Sequence, residues 1–224
     1  MNPLKPAMGL GVLHLFCKSS DSVDKDVLEH AVEEIRSGGG QVIPISILGH
    51  KADMAFMVLD EDWVALRKFQ ATISQCGLEI VDSYVSLTEI SEYAAGVPDE
   101  MRNARLYPEL PPDGKTAWCF YPMSKRRNVD QNWFTLDFET RKKLMYEHGA
   151  SGRKFSGRVL QVITGSTGID DFEWGVTLFC EKPDDLKDVV YSMRFDEASA
   201  EYAEFGSFYA GIVGDLKQVF EISL

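Results

Sequence analysis

Residues 38–60 read Gly-Gly-Gly-Gln-Val-Ile-Pro-Ile-Ser-Ile-Leu-Gly-His-Lys-Ala-Asp-Met-Ala-Phe-Met-Val-Leu-Asp, and this stretch decides the fold. Gly38-Gly39-Gly40 stops whatever helix precedes it. Two β-rich runs follow, Gln41–Leu48 and Asp53–Asp60, and Gly49-His50-Lys51-Ala52 between them suits a hairpin turn. Upstream, Val23, Val27, Leu28, Ala31, Val32 and Ile35 recur at helical spacing, behind a short apolar strand at Gly9–Cys17 and a polar stretch at Lys18–Ser22. Downstream, Trp63, Leu66, Phe69, Ile73 and Cys76 line one face of a second helix, Gly77 ends it, and Leu78–Thr88 returns to strand. The order is β-α-β-β-α-β, the ferredoxin-like pattern.

Residues 89–114 break this rhythm. Leu106–Gly114 holds three prolines and a glycine, so it is neither an ordinary helix nor a central strand. The pattern then repeats, without visible sequence identity. Lys115–Met123 reads as a strand and Asp137–His148 as a helix carrying Phe138, Arg141, Leu144, Met145 and His148 on one face. Gly157–Gly165 and Phe172–Glu181 read as two strands, Asp184–Phe205 as largely helical, and Ser207–Val213 as the last strand. The expected fold class is α+β, two ferredoxin-like units in one chain, the dimeric α/β-barrel type. Residues 1–95 form the first unit, 96–114 connect, and 115–224 form the second. Each unit has helices on one face of its sheet and leaves the other face for its mate to cover.

Apolar residues at 45% and charged residues at 26% are those of a water-soluble globular protein. No secretory signal is visible, and no apolar run approaches the roughly 20 residues that span a bilayer. Cys17, Cys76, Cys119 and Cys180 lie far apart, each in or beside an apolar run, which suits buried free thiols in a reducing compartment. The expected location is therefore the cytoplasm. A net charge of −12 disfavours nucleic acid as a partner. An anionic small ligand would need a local basic cluster, and Lys125-Arg126-Arg127 is the densest one.

The second half is richer in chemistry-bearing stretches than the first. It holds Phe120-Tyr-Pro-Met-Ser-Lys-Arg-Arg127, Met145-Tyr-Glu-His-Gly149, Gly168-Ile-Asp-Asp-Phe-Glu-Trp-Gly-Val176, Met193-Arg-Phe-Asp-Glu-Ala-Ser199 and Glu204-Phe-Gly-Ser-Phe-Tyr-Ala-Gly211. Alone, His148 reads as a helix-end cap or a partly buried polar group and Tyr121 as a packed strand aromatic, while for Gln161 a solvent-facing strand position is the lesser alternative. Arg126 and Arg127 read as solvated charge. Asp170, Asp171 and Glu173 do not guarantee the converging oxygens a hard cation needs, and fit turn capping and subunit contact. His14, His30 and His50 show no ligand pattern.

Together, in this order and spacing, these stretches resemble the chlorite dismutase superfamily, and within it the coproheme decarboxylase branch. The resemblance covers nearly the whole chain and is strongest from Arg105 to Gly211. It implies that His148 is the proximal iron ligand. It implies that Tyr121 carries a catalytic radical and that Lys125 manages protons. Pro122, Met123, Ser124 and Lys125 would line the substrate propionates, with Ser199 as a hydrogen-bond donor, Arg194 assisting, and Arg105 as a propionate-binding arginine. The stretch from Arg105 to Tyr121 is about two residues longer than the family pattern.

Gln161 stands where chlorite dismutases place a distal arginine. A neutral amide can hydrogen-bond peroxide but supplies no positive charge, which points to the branch with a distal glutamine. The implied reaction is peroxide-dependent oxidative decarboxylation of two propionates of Fe-coproporphyrin III (coproheme), giving haem b through a three-propionate intermediate. Coproheme would be both substrate and redox cofactor. A homopentamer and a transient contact with coproporphyrin ferrochelatase are implied as well. The alternatives are a chlorite dismutase or haem peroxidase on the same fold, and a non-enzymatic haem-binding protein. The first unit lacks all the catalytic motifs.

Overall fold

The computed structural model describes residues 1–20, 22–94 and 96–223. Asp21, Leu224 and Ala95, where the first unit was expected to end, lie outside the described residues. The first unit is built from β1 (Gly11–Ser19), α1 (Lys25–Ser37), β2 (Gln41–Ile47), β3 (Met54–Asp60), α2 (Trp63–Gln75) and β4 (Leu78–Thr88). Asp24 caps α1 by accepting from Val27 N–H at 3.1 Å, and Asp62 caps α2 by accepting from Val64 N–H at 2.9 Å. The predicted apolar stripe of α1 is the buried one: Leu28, Ala31, Val32 and Ile35. Burying each of the larger side chains is worth about 1.5–3 kcal/mol.

The second unit runs β5 (Ala117–Lys125), α4 (Phe138–Arg153), β8 (Val159–Gly165), β9 (Trp174–Cys180), α5 (Pro183–Met193) and β11 (Tyr209–Val213). Within the units the strands pair in the orders β4-β1-β3-β2 and β11-β5-β9-β8. β2 also pairs with β11 and β4 with β8, so the two sheets join edge to edge in a closed barrel, and β10 (Ala203–Phe205) lies beside β5. Closure leaves those eight strands without a free edge. The inner faces cover each other across the barrel, with Phe16, Trp118, Phe120 and Phe179 among the fully buried side chains.

The structure corrects several sequence expectations. The connecting segment contains a helix, α3 (Asp99–Leu106), with two acidic residues in its first turn and Arg105 in its last. A small hairpin, β6 (Arg127–Asn128) with β7 (Gln131–Asn132), and a 3₁₀ turn at Trp133–Thr135 follow β5. The expected helix over Asp184–Phe205 is instead α5, the short α6 (Glu197–Ala200) and β10. A last helix, α7 (Leu216–Ser223), packs Leu216, Val219 and Phe220 into the core of the first unit. Among the described residues, no helix is long and apolar enough to cross a membrane.

Candidate functional site

Strand alternation sorts the predicted site residues. On β5, Trp118 and Phe120 point into the barrel, while Cys119 and Tyr121 belong to the outer cluster with Met123 packed on it. Pro122 and Ser124 therefore fall on the other face from Tyr121. The Ser124 hydroxyl accepts from Glu173 N–H at 3.1 Å, and so fastens a turn. On β8, Gln161 is opposite Leu178, which is opposite Cys119 on β5; Ile163 is opposite Val176, which is opposite Tyr121. Tyr121 and Gln161 thus share one outer face, about 10–12 Å apart by strand geometry.

Tyr121 is buried, stacked on Phe208 at 4.4 Å and edge-on to Phe205 at 5.7 Å. Burial pushes its phenol above the ordinary range, Cys119 adds to the rise, and Arg194 opposes it. Arg194 is the C-cap of α5, and its guanidinium lies 4.8 Å from the Phe205 ring centroid. A positive charge and an otherwise apolar phenol therefore meet around one aromatic pair.

The helix above this face is α4, capped by Asp137, which accepts from Thr140 N–H at 3.0 Å. Contrary to the sequence reading, His148 does not close it. The helix continues through Gly149 and Gly152 to Arg153, because tertiary packing tolerates two glycines that cost about 1 kcal/mol each against alanine. His148 Nδ1 lies 3.1 and 3.0 Å from the two Asp196 carboxylate oxygens. Burial pushes the Asp196 carboxyl up, but hydrogen bonds from His148 and Ser199 outweigh it and hold the carboxyl below its ordinary range. An ionised carboxylate only accepts, so Nδ1 carries the proton and donates, leaving Nε2 as the position for a metal. Ser199 Oγ sits 3.3 Å from the same Nδ1, and Ser199 N–H donates to Asp196, the N-cap of α6.

Asp196 was missed by the sequence reading. The available signal was an aspartate three residues before a serine, a helix-start pattern that also placed it beside Ser199.

Lys125 is buried with its ammonium donating to the Ala198 carbonyl at 2.6 Å and lying 4.4 Å from the Trp133 ring centroid. Burial lowers its pKa to about 8, against the opposing pull of Asp196 and Glu173. It ties β5 to the segment that holds His148. Gln161 Nε2 donates weakly to Met193 Sδ at 3.6 Å, and the inner side of Gly152 faces both groups. Gly152 is four residues beyond His148, so both lie on one stripe of α4. Arg105 is exposed on α3, whose end joins the β4–β8 seam through Thr88 Oγ1 donating to Leu106 O at 2.8 Å. Among the described residues, no hydrogen bond or ion pair joins Arg105 to the other site residues.

Asp170 Oδ2 accepts from Val85 N–H, and Glu173 Oε2 from Lys125 N–H, each at 2.8 Å, which fits the turn-fastening reading. Among the described residues, no three His, Cys, Asp or Glu side chains gather as a metal site, and all four cysteines are buried and free. Two hollows of about 270 and 140 Å³ lie between α1 and α2 and at the barrel mouth beside Asp82; neither contains His148, Tyr121 or Gln161. The donor set argues for a planar iron porphyrin better than for a bare ion. One imidazole with a free nitrogen could hold the iron, and the Arg194 guanidinium over the Phe205 ring could meet a carboxylate substituent.

Fold and side chains define a class: a closed barrel of two ferredoxin-like units with a carboxylate-tethered histidine on a helix outside the second. The chain belongs to the chlorite dismutase family, whose model matches residues 23–214. It is 48% identical over 180 residues to a coproheme decarboxylase from Staphylococcus carnosus (strain TM300), covering 75% of this chain and 71% of that one. A solved haem-binding protein from Thermus thermophilus superposes with a TM-score of 0.86 at 34% identity, covering 99% of this chain and 98% of that one. A mutant chlorite dismutase from Candidatus Nitrospira defluvii shares the fold at 18% identity, with a TM-score of 0.76 and 97% of each chain covered.

Proposed function

We propose that this chain is a coproheme decarboxylase that converts two propionates of Fe-coproporphyrin III to vinyl groups at the expense of hydrogen peroxide, giving haem b. The observation that carries the reading is the Tyr121 phenol buried against Phe205 and Phe208, with the Arg194 guanidinium over the same Phe205 ring and Gln161 on the same sheet face. The relationship to the Staphylococcus carnosus enzyme supports it. For each propionic acid group the balance is R–CH2–CH2–COOH + H2O2 → R–CH=CH2 + CO2 + 2 H2O. Bound coproheme with peroxide supplies the two oxidising equivalents.

The residues then divide the work. His148 holds the iron through Nε2, its orientation fixed by Asp196. Arg194 and Arg105 receive propionate charge, with Met123 beside the ring. Pro122 and Ser124, on the opposite face of β5, hold the strand and its turn rather than touch the ligand. Tyr121 loses a hydrogen atom to the oxidised cofactor and is restored when it takes one from the propionate chain. The chain would then give up a second electron and the carboxyl proton to the cofactor as it releases carbon dioxide, which completes the two oxidising equivalents. Lys125, with its pKa lowered to about 8, is the group on this face that exchanges a proton near neutral pH. Gln161 offers a neutral amide to peroxide, and Ser199 steadies the His148–Asp196 pair. Residues 1–95 complete the barrel, 96–114 supply Arg105, and 115–224 carry the site. A homopentamer and a transient ferrochelatase contact belong to the same reading.

The test is to add peroxide to the coproheme-loaded protein and follow the porphyrin by mass spectrometry. Two successive losses of the elements of formic acid are expected, and Tyr121→Phe should abolish both while still binding coproheme. Intact coproheme from the wild type sinks the assignment; full activity in Tyr121→Phe sinks the radical role alone.

A further inference from the structure

The barrel interior is mostly apolar, and its buried polar side chains gather on one group of strands. β2, β3 and β11 contribute Ile43, Ile45, Met57, Leu59 and Val213, while β1, β4, β8 and β9 contribute His14, Ser86, Thr88, Thr164 and Thr177, all buried. Much of this polar set is accounted for. Thr88 Oγ1 donates to Leu106 O at 2.8 Å, Thr164 Oγ1 to Gly175 O at 3.4 Å, and Thr177 Oγ1 lies 3.1 Å from His14 Nε2. Three interior atoms remain: His14 Nδ1, Ser86 Oγ and Trp118 Nε1 make no hydrogen bond to any described residue.

The three residues share the barrel interior, with His14 next to both of the others. The β1–β4 register sets His14 against Tyr84 and Val12 against Ser86, so Ser86 is the diagonal neighbour of His14 on the inner face. The His14 and Trp118 ring centroids are 6.4 Å apart. All three residues are at most 1% exposed. Leaving three polar atoms unpaired at that depth would consume a large part of a domain's net stability.

We propose that His14, Ser86 and Trp118 form a binding site for an ordered water molecule inside the barrel. The chemistry excludes the other ligand classes. An indole N–H only donates, and no carboxylate lines the site, so a cation finds no partner. An anion finds no positive charge, because burial holds His14 neutral by lowering its pKa to about 3. Water accepts from Trp118 and donates to His14 Nδ1 and Ser86 Oγ, the three bonds typical of a buried molecule. The assignment also fixes the tautomer: the His14 proton resides on Nε2 and is donated to Thr177.

A high-resolution crystal structure of the wild-type protein tests this directly. A spherical density peak about 2.7–3.2 Å from all three atoms is expected. Oxygen-17 relaxation of the solvent should register a long-lived internal water that disappears in Trp118→Phe, and nitrogen-15 spectra should show His14 protonated on Nε2. A map with no such peak, or with the three atoms turned to protein partners, overturns the proposal. So does a His14 protonated on Nδ1. The wild-type map decides the matter even if Trp118→Phe does not fold.

Discussion

The two halves of the barrel have the same strand order and put helices on the same side, yet two aliphatic helix stripes cover the outer face of the first, while α5 covers part of the second and the rest carries the candidate site. On the first, α1 and α2 meet the sheet with Leu28, Ala31, Val32, Ile35, Leu66, Phe69 and Ile73, and α7 adds Val219 and Phe220. On the second, α4 buries only Leu144 and presents His148 and Gly152 where α1 has aliphatic side chains. Beneath it lie Tyr121, Gln161 and the half-exposed Ile163. A ferredoxin-like unit does not by itself make a binding site. Replacing the aliphatic stripe of one helix with a tethered imidazole and glycines leaves the sheet face available to a ligand.

Changes on the closed face should cost stability and spare the chemistry. Leu28→Ala should lower the unfolding free energy by about 3–5 kcal/mol in urea titration, with unchanged coproheme affinity. Leu144→Ala, in the smaller cluster with Trp133 and Ala198, should cost nearer ~2 kcal/mol. Equal losses would erase the contrast.

The buried lysine of the open half gives a pH signature. Burial lowers Lys125 to about 8 from the ordinary 10.5. Below pH 8 it is charged in folded and unfolded chains alike, and its desolvation cost is felt in full. Between about pH 8 and 10.5 the unfolded chain binds more protons, so stability rises with pH, by up to about 3 kcal/mol. Lys125→Met should remove that rise; an unchanged pH profile refutes it.

Asp196→Ala frees the imidazole to rotate and swap its proton. It should weaken iron-porphyrin binding by about 10–100-fold, read from a Soret titration, with little change in secondary structure. Unaltered binding would demote the His148–Asp196 pair to a structural contact.

The smallest effect concerns Gly152. An added Cβ would meet Met193 and Gln161 at ordinary contact distances of 3.7 and 3.8 Å, so Gly152→Ala is accommodated without ligand. It should raise stability by about 0.5–1 kcal/mol through helix propensity, while weakening coproheme binding a few-fold. A variant that is more stable and binds as tightly would show that the ligand does not pass between Gly152 and Gln161.

Much of the fold was legible because its signals are local. The stripe of α1, the glycine stop at residues 38–40 and the hairpin that follows are set by neighbouring residues, and so was each unit's element order. The barrel was expected from the fold type, but its seams were not legible, because β2–β11 and β4–β8 join by backbone hydrogen bonds that no side-chain pattern records. α3 was hidden by the prolines that follow it, and the full length of α4 by glycines that usually end helices. His148, Tyr121 and Gln161 were found through resemblance rather than periodicity. Asp196 escaped because only the folded chain brings it across 48 residues to His148.

The position of α7 bears on how the protein is made. Leu216, Val219 and Phe220 fill the core of the first unit, and Ser223 Oγ donates to Ser46 Oγ at 2.8 Å. During synthesis, the strands and helices of residues 11–88 leave the ribosome more than a hundred residues before the helix that seals them. The nascent first unit therefore keeps part of its apolar surface unsealed until α7 has been made.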